Sequence, residues 1–239
     1  MSEEPAPRRR GRPARLTQAE IVRAARELLE REGVAALTMR GVARAVGSTP
    51  MGLYHHVADK DELLLLLLES EAAALEPPPL PDDPRARIVV LARFIRDVLD
   101  ARPWVLEAIT PGLRFGRSSL PLVEQIIAGF VACGLEPDDA VRAYRALWYL
   151  ISGELTVRHA AGRASARGGR GARHADGGRL VAADFAVETM ASLDPDELPL
   201  LAAVGARWWE VADSYDAGDG LAALVDGLVA RHGRGTGEG

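Results

Sequence analysis

At 239 residues with 48% apolar side chains, the chain can bury the core of one large domain or two small ones, which excludes disorder of the whole chain. A single cysteine, Cys133, excludes an internal disulfide framework, and the start Met-Ser-Glu-Glu-Pro lacks the basic-then-apolar order of a signal peptide. The only long apolar run, Leu63 to Leu68, is far shorter than the roughly 20 residues that cross a bilayer. We therefore expect a cytoplasmic protein with no membrane span.

The net charge of −5 is unevenly distributed along the chain. Residues 8–60 hold ten arginines and one lysine against five acidic residues, a balance of +6 that leaves −11 for the remainder. Such asymmetry predicts a small basic module joined to an acidic body, and it indicates an anionic partner for the module.

Helical periodicity dominates the chain, and alternation of polar and apolar residues never extends beyond a few positions, so the fold class is predicted as all-α. A first helix is expected over 17–31, because Thr17 and Glu20 form the pattern of a capping box. Two short helices, 38–46 and 50–56, follow it. Later helices are expected at about 59–75, 82–101, 119–133, 137–160, 196–212 and 219–232, with a brief one from Pro103.

Residues 161–179 are almost wholly Gly, Ala and Arg, a composition that cannot support a core. We expect a mobile loop there. Its five arginines also suit an RNA-binding tract, but the loop lacks the aromatic residues on which bases stack. A solvated connector is therefore the preferred interpretation.

The segment from about 38 to 56 has the pattern of a helix-turn-helix. Two helices that cross through a short turn need a small residue at their contact and a residue that tolerates positive φ, and Ala43 and Gly47 meet these needs. The pattern alone also fits an ordinary helical hairpin. Ser48 and Thr49 favour DNA binding, because they offer hydroxyls and free N–H groups at the start of the second helix.

Two further features of the second helix bear on its partner. A glycine inside so short a helix, Gly52, costs about 1 kcal/mol in propensity, which indicates close approach of the backbone to something. The adjacent histidines, His55 and His56, point about 100° apart on a helix, and no acid or cysteine completes a metal site. No metal is predicted.

Residues 15–68 resemble the DNA-binding domain of the TetR family of bacterial one-component regulators, through Leu-Thr-Met-Arg, Gly-Ser-Thr-Pro-Met-Gly-Leu-Tyr-His-His-Val and Asp-Lys-Asp-Glu-Leu-Leu. The resemblance implies phosphate contacts by Thr38, Tyr54, His56 and Lys60. It implies base contacts by Arg40, Thr49, Pro50, Met51, Gly52 and His55. Ser48 replaces the usual apolar residue after the turn glycine, so we expect the recognition helix to enter the groove at a slightly different angle.

An arginine-rich arm precedes this domain. Its Arg-Gly-Arg-Pro resembles the core of an AT-hook, and an extended, proline-stiffened arm suits the narrow minor groove of A·T-rich DNA. We expect Arg10 and Arg12 to contact that groove, with a disordered tail of general phosphate affinity as the alternative. The predicted division is an arm at 1–15, a DNA-binding domain at 16–62 and a helical effector-binding and dimerisation domain at 63–232.

Residues 102–108 and 135–155 resemble the C-terminal domain of tetracycline-repressor-type members of the family. In that subgroup a histidine and a carboxylate hold the antibiotic through a metal. Ala108 and Val157 stand at those positions here, so metal–tetracycline recognition is not expected, and no cofactor is predicted.

Aromatic residues of the body recur at helical spacing, which fits a packed core and also a hydrophobic ligand cavity. A cavity with a few polar groups suits a small effector that is flat, largely apolar and partly cationic or amphipathic. The residues expected to line it are Phe94, Trp104, Glu107, Phe130, Tyr144, Trp148, Tyr149, Glu154 and Arg158.

The last two predicted helices fit either a four-helix dimer interface or internal core. Their apolar residues are Leu198, Leu201, Val204, Trp208, Leu221, Leu224, Val225 and Leu228. A homodimer is favoured, because two recognition helices about 34–36 Å apart read a palindromic operator in successive major grooves. The sequence thus predicts a repressor that an effector releases from double-stranded DNA. An enzyme lacks support because no P-loop, dinucleotide fingerprint or nucleophile elbow is present, and an architectural DNA protein is the other alternative.

Overall fold

The computed structural model describes residues 16–110, 116–166, 173–175, 179–181 and 184–233. Contacts between residues divide the chain into two units, 1–71 and 72–239. None of the described helices is both long and apolar enough to span a membrane.

The described residues of the first unit form four helices. They are α1 (Gln18–Glu32), α2 (Met39–Ala45), α3 (Pro50–Tyr54) and α4 (Lys60–Ala73), with a 3₁₀ turn at Val34–Ala36. The capping box at the start of α1 forms as predicted: the Thr17 hydroxyl accepts the Glu20 N–H, and the Glu20 carboxylate accepts the Thr17 N–H at 2.9 Å. The Glu20 carboxylate also accepts the Thr17 hydroxyl at 2.9 Å, and the bonds that it accepts from the Thr17 N–H and hydroxyl lower the pKa of Glu20.

The core of this unit gathers the apolar face of each helix. It includes Ile21, Ala25, Leu29, Leu37, Val42, Ala43, Leu53, Val57, Leu63 and Leu67, all nearly inaccessible to solvent. The leucine run of α4 therefore serves the core rather than a membrane, although Leu65 remains 43% exposed. Arg26 ties α1 to the end of α4 by a hydrogen bond from Nη2 to Ser70 Oγ (3.0 Å).

The second unit is also helical. Its helices are α5 (Pro84–Ala101), α6 (Pro103–Ile109), α7 (Leu120–Ala132), α8 (Pro137–Ala166), α9 (Asp184–Ala191), α10 (Pro199–Val204), α11 (Trp208–Asp213) and α12 (Ala217–Gly233). Two short strands, β1 (Arg173–Ala175) and β2 (Arg179–Val181), pair antiparallel with Arg173 opposite Val181. The all-α class is confirmed, since the described strands amount to one small hairpin.

Several predicted boundaries in this unit were wrong. Helix α8 runs to Ala166 rather than 160, because alanine and arginine sustain a helix even with a glycine among them. Strand β1 lies within the predicted loop 161–179, and β2 begins at the last residue of that loop. The loop positions 167–172 and 176–178 lie outside the described residues. The single helix expected at 196–212 is divided into α10 and α11 because Gly205 adopts a positive φ of 48° between them. Helix α9 was not predicted.

Helices α5, α7, α8 and α12 pack against one another. Their shared core includes Ile88, Leu91, Ile126, Phe130, Leu147, Leu155, Leu221 and Val225. Two ion pairs, Arg85–Asp226 and Arg93–Asp219, join α5 to α12. The hydrogen bond from Arg85 lowers the pKa of the Asp226 carboxyl.

Candidate functional site

Helices α2 and α3 are joined by a tight turn. Gly47 adopts a positive φ of 65°, and the Ser48 N–H donates to the Ala43 carbonyl at 2.8 Å. Ala43 and Leu53 are buried where the two helices meet. A larger residue at 43 leaves no room for this approach, and a residue other than glycine at 47 is strained. The helix-turn-helix forms as the spacing of Ala43 and Gly47 predicts.

Most residues predicted to contact DNA lie at the surface. Met51 is 69% exposed and Tyr54 is 50% exposed. The exposed group also includes Thr38, Arg40, Thr49 and His55, and the half-buried group comprises Pro50, Gly52, His56 and Lys60. Met51 and Tyr54 of α3, together with the cap residues Thr49 and His55, therefore face solvent, and buried Leu53 anchors the helix. Arg10 and Arg12 of the predicted arm lie outside the described residues.

Two threonines cap the short helices of this site. Thr38 Oγ1 accepts the N–H of Gly41 at 3.0 Å, and Thr49 Oγ1 accepts the N–H of Gly52 at 3.1 Å. A threonine hydroxyl that accepts such a bond still has its own proton to donate. Each cap therefore fixes the helix and keeps a donor for an anionic partner at the helix N-terminus.

Two long-range hydrogen bonds hold the ends of the site, and the sequence pattern did not reveal either of them. Lys60 Nζ donates to the carbonyl of Val34 at 3.1 Å, and Gln18 Nε2 donates to the carbonyl of His56 at 3.3 Å. The Lys60 ammonium has three protons, so it can keep Val34 and bind a phosphate at the same time. These bonds fix both the turn before α2 and the end of α3.

Gly52 faces a neighbour within its own domain. A Cβ at this position would lie 2.5 Å from Ser48 Oγ, well inside van der Waals contact. A larger residue at position 52 therefore requires the Ser48 side chain to rotate, whether or not the helix backbone approaches DNA. Base contact by Gly52 stays a prediction.

The second unit places the residues predicted to bind an effector in different environments. Trp104 and Phe130 are buried in the core, at 6% and 0% exposure, whereas Tyr149 is 60% exposed. Phe94, Tyr144 and Trp148 are half-buried, and burial raises the pKa of the Tyr144 hydroxyl. Glu107 and Tyr149 are too exposed to line an enclosed cavity within one protomer, so the assignment of all nine residues to a single pocket stays a prediction.

Glu154 and Arg158, the two remaining pocket residues, belong to a charged network between α5 and α8. Arg96 Nε lies 3.2 Å from Glu154, Arg158 lies 2.7 Å from Glu154, and Asp100 contacts both Arg158 and His159. Burial lowers the pKa of Arg96, but its hydrogen bonds and charge contact with Glu154 outweigh burial and leave that pKa raised. These opposite charges satisfy one another inside the protomer.

A cleft beside this network lies between α8 and the start of α12. Arg96, Glu154, Tyr215 and Leu221 contribute to its walls, and it is too narrow to admit a water molecule. A ligand that enters this cleft must therefore move these side chains apart.

The residues predicted to form a dimer interface fall into a buried group and an exposed group. Leu221 and Val225 are buried within the protomer, at 1% and 0% exposure, as in the alternative of internal core. Leu198, Leu201 and Trp208 are exposed by about two-fifths. Helix α8, in contrast, exposes a face that mixes arginine with apolar and small residues, namely Val141, Arg142, Tyr149, Gly153, Thr156, Val157 and Ala160, and Arg145 packs on the Tyr149 ring within it.

Two family models together match most of the chain. The model described as "Bacterial regulatory proteins, tetR family" matches residues 21–67, which contain α2, α3 and the start of α4. The model described as "Tetracyclin repressor-like, C-terminal domain" matches residues 77–231, well over half of the chain.

Two curated relatives are regulators from actinomycetes. The chain is 30% identical over 144 residues to an HTH-type transcriptional regulator of Saccharopolyspora erythraea, with 59% of this chain and 61% of that protein covered. It is 31% identical over 136 residues to the HTH-type transcriptional repressor DrrR1 of Streptomyces coeruleorubidus, with 56% and 50% covered. The matches thus span between half and three-fifths of the relatives' length.

Solved structures share the fold. ActR of Streptomyces coelicolor in complex with actinorhodin has a TM-score of 0.74 at 23% identity, with 93% of this chain and 99% of that chain covered. BioQ of Mycobacterium smegmatis has a TM-score of 0.61 at 25% identity, with 91% and 99% covered.

Proposed function

Because the chain belongs to the TetR family of bacterial regulatory proteins, we propose that it is a repressor that binds a palindromic operator as a homodimer and leaves it when a small effector binds. The prediction of a transcriptional regulator rather than an enzyme is confirmed by the family. Repression accords with the name of the relative DrrR1, a transcriptional repressor.

The exposed face of α3 is the observation that carries the DNA-binding part of the proposal. Met51, Tyr54 and His55 project from a helix that Leu53 anchors and Thr49 caps. In a helix-turn-helix, the N-terminal residues of the second helix reach base edges in the major groove, while phosphate contacts fix the register. Binding of this kind depends steeply on salt, because each phosphate contact releases counterions.

Effector release is the second part of the proposal. Half-buried Phe94, Tyr144 and Trp148 supply aromatic surface for a flat, largely apolar compound, and ActR, which shares the fold, binds actinorhodin. The effector has to displace the Arg96–Glu154 contact if it uses the narrow cleft beside α12. A ligand with polar groups that replace this contact is therefore favoured over a pure hydrocarbon.

A homodimer follows from the symmetry of a palindromic operator. We assign the dimer face to the exposed side of α8, which carries Val141, Tyr149 and Val157 around Gly153. Among the residues that the structure describes, no atom beyond the neighbouring backbone of α8 itself lies within 4 Å of a Cβ placed at Gly153, so a second helix can approach closely there. Leu221 and Val225 of α12 support this face from within the protomer core.

The residue assignments are tested by comparing two classes of variant on operators selected from a random duplex library. Tyr54→Ala and Lys60→Ala are expected to weaken binding to all sequences alike, and Lys60→Ala to lower the salt slope by about 1. Arg40→Ala and His55→Ala are expected to change which base pairs are preferred, with about 1–3 kcal/mol lost per bidentate contact. Unchanged preference in both of the latter variants would overturn the base-reading assignment, and altered preference in Tyr54→Ala would overturn its phosphate assignment.

A further inference from the structure

The helix-turn-helix segment carries an unbalanced positive charge. Residues 38–58 contain neither aspartate nor glutamate, although α1 carries four glutamates and α4 carries one aspartate and three glutamates. The only arginine or lysine side chains in this segment are those of Arg40 and Arg44. Segregation of charge of this kind concentrates positive potential on one surface of a domain.

Arg40 and Arg44 lie one turn apart on α2, and both are exposed. Residues four apart share one face of a helix, and the opposite face of α2 is buried through Val42 and Ala43. Within the described part of the chain neither arginine has an ion-pair or hydrogen-bond partner. Arg26 and Arg31 differ in this respect, because they bond to Ser70 and Glu32 respectively.

We propose that Arg44 is a second DNA contact of α2 and binds a backbone phosphate. The first helix of a helix-turn-helix crosses the phosphate backbone while the second fills the groove, so a cation at the C-terminal end of the first helix meets phosphates rather than bases. An unpaired guanidinium has all five donors available for a phosphate. This inference rests on the proposed DNA-binding function.

The test compares Arg44→Gln with Arg31→Gln in the full-length chain. Both variants remove one positive charge from the same unit at an exposed site, but only Arg44 lacks an internal partner. Binding to a labelled duplex of mixed sequence is measured between about 50 and 200 mM KCl. We expect Arg44→Gln to lower the magnitude of the salt slope by about 0.9, so that its affinity falls about threefold less than that of the wild type over this range.

Arg31→Gln is expected to keep the wild-type slope, and Arg44→Lys, which retains the charge, to keep it as well. The salt slope distinguishes a lost DNA contact from partial unfolding of the variant. A constant fraction of unfolded protein changes the apparent affinity by the same factor at every salt concentration and leaves the slope unchanged. Equal slopes for Arg44→Gln and Arg31→Gln would overturn the assignment. If Arg44→Gln kept the wild-type salt slope but changed which base pairs are preferred, the phosphate assignment would be wrong and Arg44 would be assigned to a base instead. Absence of duplex binding by the wild type would instead reject the proposed function itself.

Discussion

In the recognition helix, the Ser48 hydroxyl fills the space in which a Cβ at position 52 would lie, 2.5 Å away. Without that hydroxyl, the nearest atoms would be Thr49 Oγ1 at 3.5 Å and Ser48 Cβ at 3.9 Å, which are ordinary contacts. Ser48 and Gly52 therefore form a matched pair. In the conformation that Ser48 adopts here, its hydroxyl leaves room only for glycine one helical turn later.

We expect a double-mutant cycle on this pair to be non-additive. Gly52→Ala alone forces Ser48 to rotate, whereas Gly52→Ala combined with Ser48→Ala gains helix propensity, by up to about 1 kcal/mol. The coupling between the two sites is expected to be about 0.5–1 kcal/mol in the free energy of unfolding measured with urea. Additive effects would show that the two side chains do not constrain each other.

Single residues of the site were predictable where their partners are close in sequence. Thr17 and Glu20 lie three residues apart, and Gly47 has to occupy the positive φ of the turn, so both features can be read locally. The partners of Lys60 and Gln18 are 26 and 38 residues away, and they are backbone carbonyls, which every residue type has. No side-chain pattern encodes such a bond.

At the scale of elements, Glu154 connects α5 with α8. Its carboxylate lies between Arg96 and Arg158, and its side chain is only 17% exposed. Removal of the carboxylate takes away the partner that the two partly buried guanidinium groups share, and leaves Arg96 with Asp97 and Arg158 with Asp100. The packing of α5 against α8 therefore depends on this side chain.

Glu154→Ala is expected to lower the free energy of unfolding by about 1–3 kcal/mol, because partly buried charges lose their partner. Arg142→Ala is the matched control on the same helix. Its ion pair with Asp139 is exposed, so its loss is expected to cost under about 0.5 kcal/mol. Urea denaturation of both variants checks this difference, and equal costs would show that the network does not stabilise the helix pair.

The elements themselves were predictable where capping residues mark them. Asp83 and Pro84 predict the start of α5, and Pro137 that of α8. The sequence did not predict helix α9 or the break at Gly205. The ends of these helices depend on contacts among α9, α10 and α11 rather than on capping residues. The end of α8 was missed because a segment rich in glycine, alanine and arginine has no clear stop.

At the scale of the whole molecule, the two units differ in charge and in exposed surface, and the proposed function gives each unit a different role. The first unit contains the acid-free segment 38–58, and the second exposes the side of α8 that carries Tyr149 and Val157 around Gly153. In the proposed function, segment 38–58 contacts DNA, and the α8 face joins two protomers so that the dimer carries two recognition helices. In the proposed regulator, an effector alters DNA affinity by changing the spacing of two recognition helices without touching DNA.

The most direct test of this account is a hydroxyl-radical footprint of the full-length protein on a duplex selected from a random library. We predict two protected blocks that are related by a twofold axis and centred one helical turn, about 10–10.5 base pairs, or a multiple of it apart. A single protected block, or no protection at low salt, would contradict the proposal of a dimeric regulator that reads a palindrome through α3.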